Sequence, residues 1–131
     1  MKMSGEGPIT AMIVDDDDAI RELEKTVLLH MGCEIVAEAS DGQQAIDLFD
    51  DNKADLVLLD IRMPGMGGIE VLRELKRVNP TSYIVMMTSV DDQEAIEDCM
   101  IAGARDYIRK DTPPDRIISR LQKHVNRLRV H

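Results

Sequence analysis

The chain contains no tryptophan, one phenylalanine and two tyrosines in 131 residues. Stacking on aromatic faces therefore cannot be the basis of ligand binding. It has two cysteines, Cys33 and Cys99, far apart and in no metal-like spacing. They read as reduced, packed thiols of a cytoplasmic protein, not as a disulfide or a zinc site. No apolar run approaches a membrane span and no secretory leader is recognisable, so no membrane role is expected. Basic charge is also short: the net charge is −9, which argues against nucleic acid as a direct ligand of this domain.

What is present fits one globular domain. Apolar residues are 44% and charged residues 31% of the chain, enough for a single core. Residues 1–8 are small, polar and glycine-rich, and are expected to be a disordered tail or a cloning remnant. The domain proper is expected over residues 9–131. The nine methionines are read as core gap-fillers.

The most informative stretch is Asp55–Pro64. Leu56 to Leu59 form an unbroken apolar run, the pattern of a strand buried on both faces. It delivers a carboxylate, Asp60, and then Met63-Pro64-Gly65 ends regular structure. Around it, strand and helix patterns alternate five times. Ala11–Val14 reads as a first strand running into Asp15-Asp16-Asp17-Asp18. Ile20, Leu23, Val27 and Met31 then recur at helical spacing, with Arg21, Glu22, Glu24 and Lys25 on the solvent side, and Gly32 ends the helix. Ile35–Ala37 is the second strand. Asp41 caps the second helix, with Gln44 at the reciprocal position, and Ala45, Leu48 and Phe49 face the core.

Asp60 ends the third strand. Gly65–Gly68 leads into a third helix that packs Ile69, Val71, Leu72 and Leu75 and stops at Asn79-Pro80. Tyr83–Met87 is the fourth strand, followed by Thr88-Ser89. Asp91 is expected to cap the fourth helix, which Ala102-Gly103 closes. Asp106–Arg109 is the fifth strand, followed by Lys110. Pro113-Pro114 starts a fifth helix with the stripe Ile117, Leu121, Val125 and Leu128. This alternation predicts an α/β fold: a three-layer α/β/α, doubly wound, five-stranded parallel sheet with right-handed crossovers. Ligands of such sheets bind beyond the C-terminal strand ends.

Those ends carry Asp15 and Asp16, Asp60, Thr88, and Lys110. If the first and third strands are neighbours, three carboxylates converge. Each pair at ~4 Å and an effective dielectric of ~20 costs about 4 kcal/mol, so a counter-ion or protons must intervene. All-oxygen ligands with room left for water favour Mg²⁺ over Ca²⁺. Thr88 and Lys110 are placed to hold the oxygens of a transferred phosphoryl group.

At Val14-Asp15-Asp16, Leu59-Asp60-Ile61-Arg62-Met63-Pro64 with Gly68, Met87-Thr88-Ser89 and Gly103–Lys110, the sequence resembles response-regulator receiver domains, the CheY-like fold. The resemblance spans about Ala11 to Leu128 and implies strand order 2-1-3-4-5. It implies that Asp60 is the phosphoryl acceptor. It further implies Mg²⁺, or Mn²⁺ in its place, held by Asp15, Asp16, Asp60 and the carbonyl of Arg62. Thr88 and Lys110 match the groups that contact the phosphoryl oxygens, and Thr88 with Tyr107 matches the switch pair. Ser89, Arg62 and Val90 match positions that govern access and phosphoryl lifetime. The implied partners are a sensor histidine kinase or phosphotransfer protein, and an output domain or target at the surface of the fourth helix, fifth strand and fifth helix. The implied assembly is a monomer, or a dimer formed on phosphorylation, and the implied role is a switch rather than a turnover enzyme. Two positions depart from the family: Asp111 replaces the proline common after the lysine, and Gly67 replaces an acid or amide.

Three rivals share parts of this pattern. A haloacid-dehalogenase-like phosphatase needs Asp-x-Asp after strand one, which Asp15-Asp16-Asp17 offers, but Ala19 stands where a hydroxyl or β-branched residue belongs and no cap insertion exists. An FMN flavoprotein needs a phosphate loop free of acids there. A phosphate-independent docking module has no use for the full set of acids, hydroxyl and lysine. The cations Arg116, Arg120, Lys123, Arg127 and Arg129 of the last helix read as a solvated face suited to a helix C-terminus.

Overall fold

The computed structural model describes residues 7–130. Residues 1–6, most of the expected tail, and His131 lie outside the described residues. The elements are β1 (Thr10–Val14), α1 (Asp18–His30), β2 (Glu34–Ala39), α2 (Gly42–Asn52), β3 (Leu56–Leu59), α3 (Gly68–Val78), β4 (Tyr83–Thr88), α4 (Gln93–Ile101), β5 (Asp106–Arg109) and α5 (Pro114–Arg129). Every strand pairing is parallel and the order is β2-β1-β3-β4-β5.

The period-2 alternation of the strands sorts their side chains onto two faces. Met12, Val14, Val57, Leu59, Ile84 and Met86 meet Ala45 and Phe49 of α2, Val71, Leu72 and Leu75 of α3, and Cys99 of α4. The alternate residues, Ala11, Ile13, Leu56, Leu58, Val85 and Met87, meet Leu28 of α1 and Leu121 and Val125 of α5. Both faces are covered, which is why β3, and β4 as far as Met87, run without a charged residue. Both cysteines are free and buried, and burial pushes the Cys99 thiol up to about 11.

Local chemistry sets the helix ends. Asp17 accepts from the Ala19 and Ile20 amides at 2.9 and 3.2 Å. Asp41 accepts from Gln44 N at 2.8 Å, while the Gln44 side chain reaches back one residue further than expected, to Ser40 N. Gly32 and Gly103 take positive φ just past α1 and α4, the left-handed closure that glycine allows. The cap of α4 is a correction: Asp92, not Asp91, accepts from Glu94 N, and Asp91 pairs with Arg109 at 3.6 Å instead. The face of α1 is a second correction. Leu23 is 61% exposed, whereas Glu24 is 5% exposed and Leu28 fully buried. Glu24 and Leu28 thus take the inward place expected of Leu23, while Val27 and Met31 stay packed in the core as expected. β2 extends three residues beyond Ile35–Ala37, from Glu34 to Ala39.

Candidate functional site

Strand register builds the site. Val14 pairs with Leu59, so the next residues, Asp15 and Asp60, leave the sheet side by side. Asp15 N donates to Ala39 O and Asp60 N to Val14 O, each at 3.0 Å. On the far side Thr88 pairs with Arg109, and Lys110 N donates to Thr88 O at 2.9 Å. Four segments thus deliver their side chains to one rim.

The β3–α3 loop is drawn in beneath Asp60. Gly68 N donates to Ile61 O at 2.8 Å. A Cβ on Gly68 would stand 2.1 Å from Asp60 O and 2.6 Å from Ile61 Cα. Glycine is needed here for close approach of backbone, not for an unusual φ.

Asp15 is 1%, Asp60 4% and Thr88 0% exposed, while Asp16 is exposed. One carboxylate oxygen from each of Asp15, Asp16 and Asp60 lies within 4.8 Å of the others. Lys110 Nζ lies 2.5 Å from Asp15 Oδ2 and 3.3 Å from Asp60 Oδ2. Asp15 Oδ1 accepts from Asp17 N at 2.9 Å. Asp60 Oδ1 is buried without a hydrogen-bond partner, a costly state for a carboxylate. The set is all oxygen, anionic and incompletely satisfied, which fits a hard divalent cation. Arg62 and Ser89 are exposed on the loops around the rim and Val90 is buried. Among the described residues no peptide bond is cis, so Lys110–Asp111 is trans.

The electrostatics follow the geometry. Burial raises the Asp60 pKa and Asp15 adds to the rise, against the pull of Lys110 and of the Thr88 hydroxyl. Burial alone would lower Lys110. Its hydrogen bond to Asp15 and the charges of Asp60 and Asp15 outweigh that, leaving it above the usual lysine value. Thr88 Oγ1 accepts from Val90 N at 3.2 Å, which leaves its own proton for the Asp60 carboxylate. The Tyr107 hydroxyl donates to Val90 O. Both backbone groups of Val90 are therefore used, one toward Thr88 and one toward Tyr107.

Sequence reasoning missed Glu24. Burial first, and the negative charges of Asp15 and Asp60 next, push its carboxyl up to about 8 despite Lys110. Glu24, Lys110 and Met87 line a small cavity of about 170 Å³ between α1 and α5. The i, i+4 spacing between Ile20 and Leu28 was the signal that could have found it.

With this geometry in hand, the comparisons are specific. The family model described as response regulator receiver domain matches residues 11–122. The chain is 37% identical over 115 residues to the chemotaxis protein CheY of Bacillus subtilis (strain 168), covering 88% of this chain and 96% of that protein. It is 37% identical over 116 residues to the nitrate/nitrite response regulator NarP of Escherichia coli (strain K12), covering 88% of this chain and 54% of NarP. Among solved structures, the CheX–CheY–BeF3–Mg complex from Borrelia burgdorferi matches with a TM-score of 0.85 at 26% identity, covering 90% of each chain.

Proposed function

The chain belongs to the response regulator receiver family, and from that premise we propose that Asp60 takes a phosphoryl group from the phosphohistidine of a sensor histidine kinase or phosphotransfer protein. The observation that carries this reading is the meeting of Asp15, Asp16, Asp60 and Lys110 around a buried, partly unsatisfied Asp60 carboxyl.

Asp15, Asp16, Asp60 and the Arg62 carbonyl are the groups that would hold Mg²⁺, which when bound supplies charge neutralisation to carboxylates and phosphoryl oxygens alike. Asp60 attacks phosphorus in line. A P–O bond forms to its carboxylate as the P–N bond to the donor imidazole breaks, and the imidazole leaves with the bonding pair. Lys110 and Thr88 receive charge that develops on the transferred oxygens. Lys110 turns from Asp15 and Asp60 toward the new acyl phosphate, and the Thr88 hydroxyl donates a hydrogen bond to one of its oxygens. Water later attacks phosphorus, the bond from phosphorus to the Asp60 oxygen breaks, and inorganic phosphate leaves as the carboxylate is restored.

The new charge draws on Thr88, and Thr88 is tied through Val90 to Tyr107. This chain of hydrogen bonds is the element that biases the surface of α4, β5 and α5 toward one of two states. An output domain or target protein reads that surface, so the molecule works as a cytoplasmic signalling switch rather than a turnover enzyme. Among the described residues no helix is long and apolar enough to cross a membrane. The test is acetyl phosphate with Mg²⁺ on the protein and on Asp60→Asn, followed by mass spectrometry. A phosphoryl adduct on the protein and none on the variant is expected; an undiminished adduct on the variant refutes the assignment.

A further inference from the structure

A cleft of about 540 Å³ opens at the opposite rim, where the N-terminal ends of β3, β4 and β5 meet the C-terminal ends of α2, α3 and α5. Its walls include Lys53, Lys76, Arg105 and Arg127 against one acid, Asp55. In a chain of net charge −9, four cations around one concavity are out of proportion. Asp55 is engaged by Thr10, whose amide and hydroxyl donate to it at 2.9 and 3.0 Å. Lys53 has Asp50 at 3.7 Å. Among the described residues Lys76, Arg105 and Arg127 make no ion pair.

The cations are also positioned. Lys76 Nζ donates to Ser82 O at 2.9 Å. Arg105 lies over the Tyr83 ring at 4.6 Å from its centroid, and Arg105 N is tied to Ile84 O at 2.8 Å. Burial, and then the like charge of Arg105, lower the Lys76 pKa, so the two cations feel each other. Ser82, 4% exposed, lines the same cleft, and its hydroxyl has no hydrogen-bond partner. Lys76 and Arg127 sit near the ends of α3 and α5, where a cation offsets the helix dipole. That role needs neither a concave surface, nor Arg105, nor an unsatisfied buried hydroxyl.

From this arrangement we infer that the cleft is a binding site for a small anion of the diphosphate class, separate from the acidic rim. Guanidinium groups match paired phosphate oxygens and Lys76 supplies a point charge. The volume suits a phosphorylated metabolite of nucleotide size.

The test is calorimetric titration of the protein with inorganic pyrophosphate, in low salt with EDTA to keep metal from the acidic rim. Amide NMR shifts map where it binds. A sub-millimolar Kd is expected, with shifts at Ser82 and Arg105. The Arg105→Gln/Arg127→Gln double variant, at two exposed positions, is expected to bind about tenfold more weakly or worse, and Lys110→Gln within about twofold of the unmodified protein. No binding at roughly 5 mM pyrophosphate overturns the inference. So do shifts confined to the surroundings of Asp60 and Lys110, or equal affinity in the double variant.

Discussion

The two rims of the sheet are built from the same five strands and carry opposite charge. At the C-terminal rim Asp15, Asp16 and Asp60 outnumber one ammonium, Lys110. At the N-terminal rim Lys53, Lys76, Arg105 and Arg127 surround one acid in the cleft. Beside that cleft a second acid, Asp106, accepts from Arg120 and from His124 Nε2, the latter at 2.8 Å. The difference shows in titration. Where acids crowd and lose water, protons are held more tightly; where cations and hydrogen bonds surround an acid, its proton is released. Glu24, behind the acidic rim, is raised to about 8. Asp106 feels burial too, but His124, Arg120 and the Tyr107 amide override it and bring it down to about 2. The two ends of one fold therefore respond to pH with opposite sign.

The sharpest way to break that comparison is Glu24→Gln. A folded pKa of about 8 against an ordinary 4.5 means that the folded state holds a proton the unfolded chain has released. Stability from this group is full below pH 4.5 and is lost as pH rises toward 8. At pH 9 the ionised, buried carboxylate costs roughly 5 kcal/mol, which the amide avoids. Urea midpoints of protein and variant should diverge between pH 5 and 9, the variant being the more stable at the alkaline end. Parallel midpoints across that range would mean that Glu24 ionises freely.

Lys110→Ala tests the other half of the acidic rim. Removing the one cation between Asp15 and Asp60 leaves developing phosphoryl charge without its donor. The rate of Asp60 labelling by acetyl phosphate should fall about a hundredfold, close to 3 kcal/mol in the transition state. An unchanged rate would place Lys110 outside the chemistry.

At the opposite rim the expected sign reverses. Asp106 contributes stability that is fully present above its ordinary 3.8 and lost as pH falls toward 2. Asp106→Asn should cost about 2 kcal/mol at pH 7 and flatten the acid limb of the stability profile. An acid limb identical to that of the unmodified protein would show that Arg120 and His124 do not hold this carboxylate.

Most of the fold was legible in the sequence because its signals are local. Unbroken apolar runs gave β3 and β4, Asp41 marked a helix start, and Gly32 and Gly103 marked ends. The acids, hydroxyl and lysine were legible because they end a strand, as Thr88 does, or come just after one, and a parallel sheet sends all such positions to one rim. What escaped depends on packing between elements distant in sequence. Glu24 looks like a solvent-facing helix residue until α5 and Lys110 close over it. Asp91 and Asp92 are adjacent, and only the folded chain shows Asp92 taking the cap while Asp91 pairs with Arg109 of β5. The basic cleft joins residues from six elements and their ends, with no motif in any one of them. The cations of α5 that read as a solvated face turn out to divide their work. Arg120 holds Asp106, Arg129 reaches Met31 O, and Arg127 lines the cleft.

The two tyrosines offer the finest contrast between the rims. Tyr83, 4% exposed, opens β4 at the basic end, and its hydroxyl meets His124 Nδ1 at 2.5 Å. With Nε2–H of the same ring donating to Asp106, Nδ1 has no other partner to turn to. Tyr107 lies toward the acidic end, half-buried, and its hydroxyl donates to Val90 O, a carbonyl that water can serve if the loop moves. Tyr83→Phe strands a buried acceptor and should cost about 1–2 kcal/mol in unfolding free energy, whereas Tyr107→Phe should cost about 0.5–1 kcal/mol. The ranking for the beryllofluoride response should be the reverse. Tyr107→Phe cuts the link from Thr88 through Val90 and should weaken the beryllofluoride-induced NMR shifts across α4 and β5. Tyr83→Phe, on the far side of the sheet, should leave them as they are. If both substitutions weakened those shifts equally, the signal would travel through the core as a whole and not along the Thr88–Val90–Tyr107 bonds.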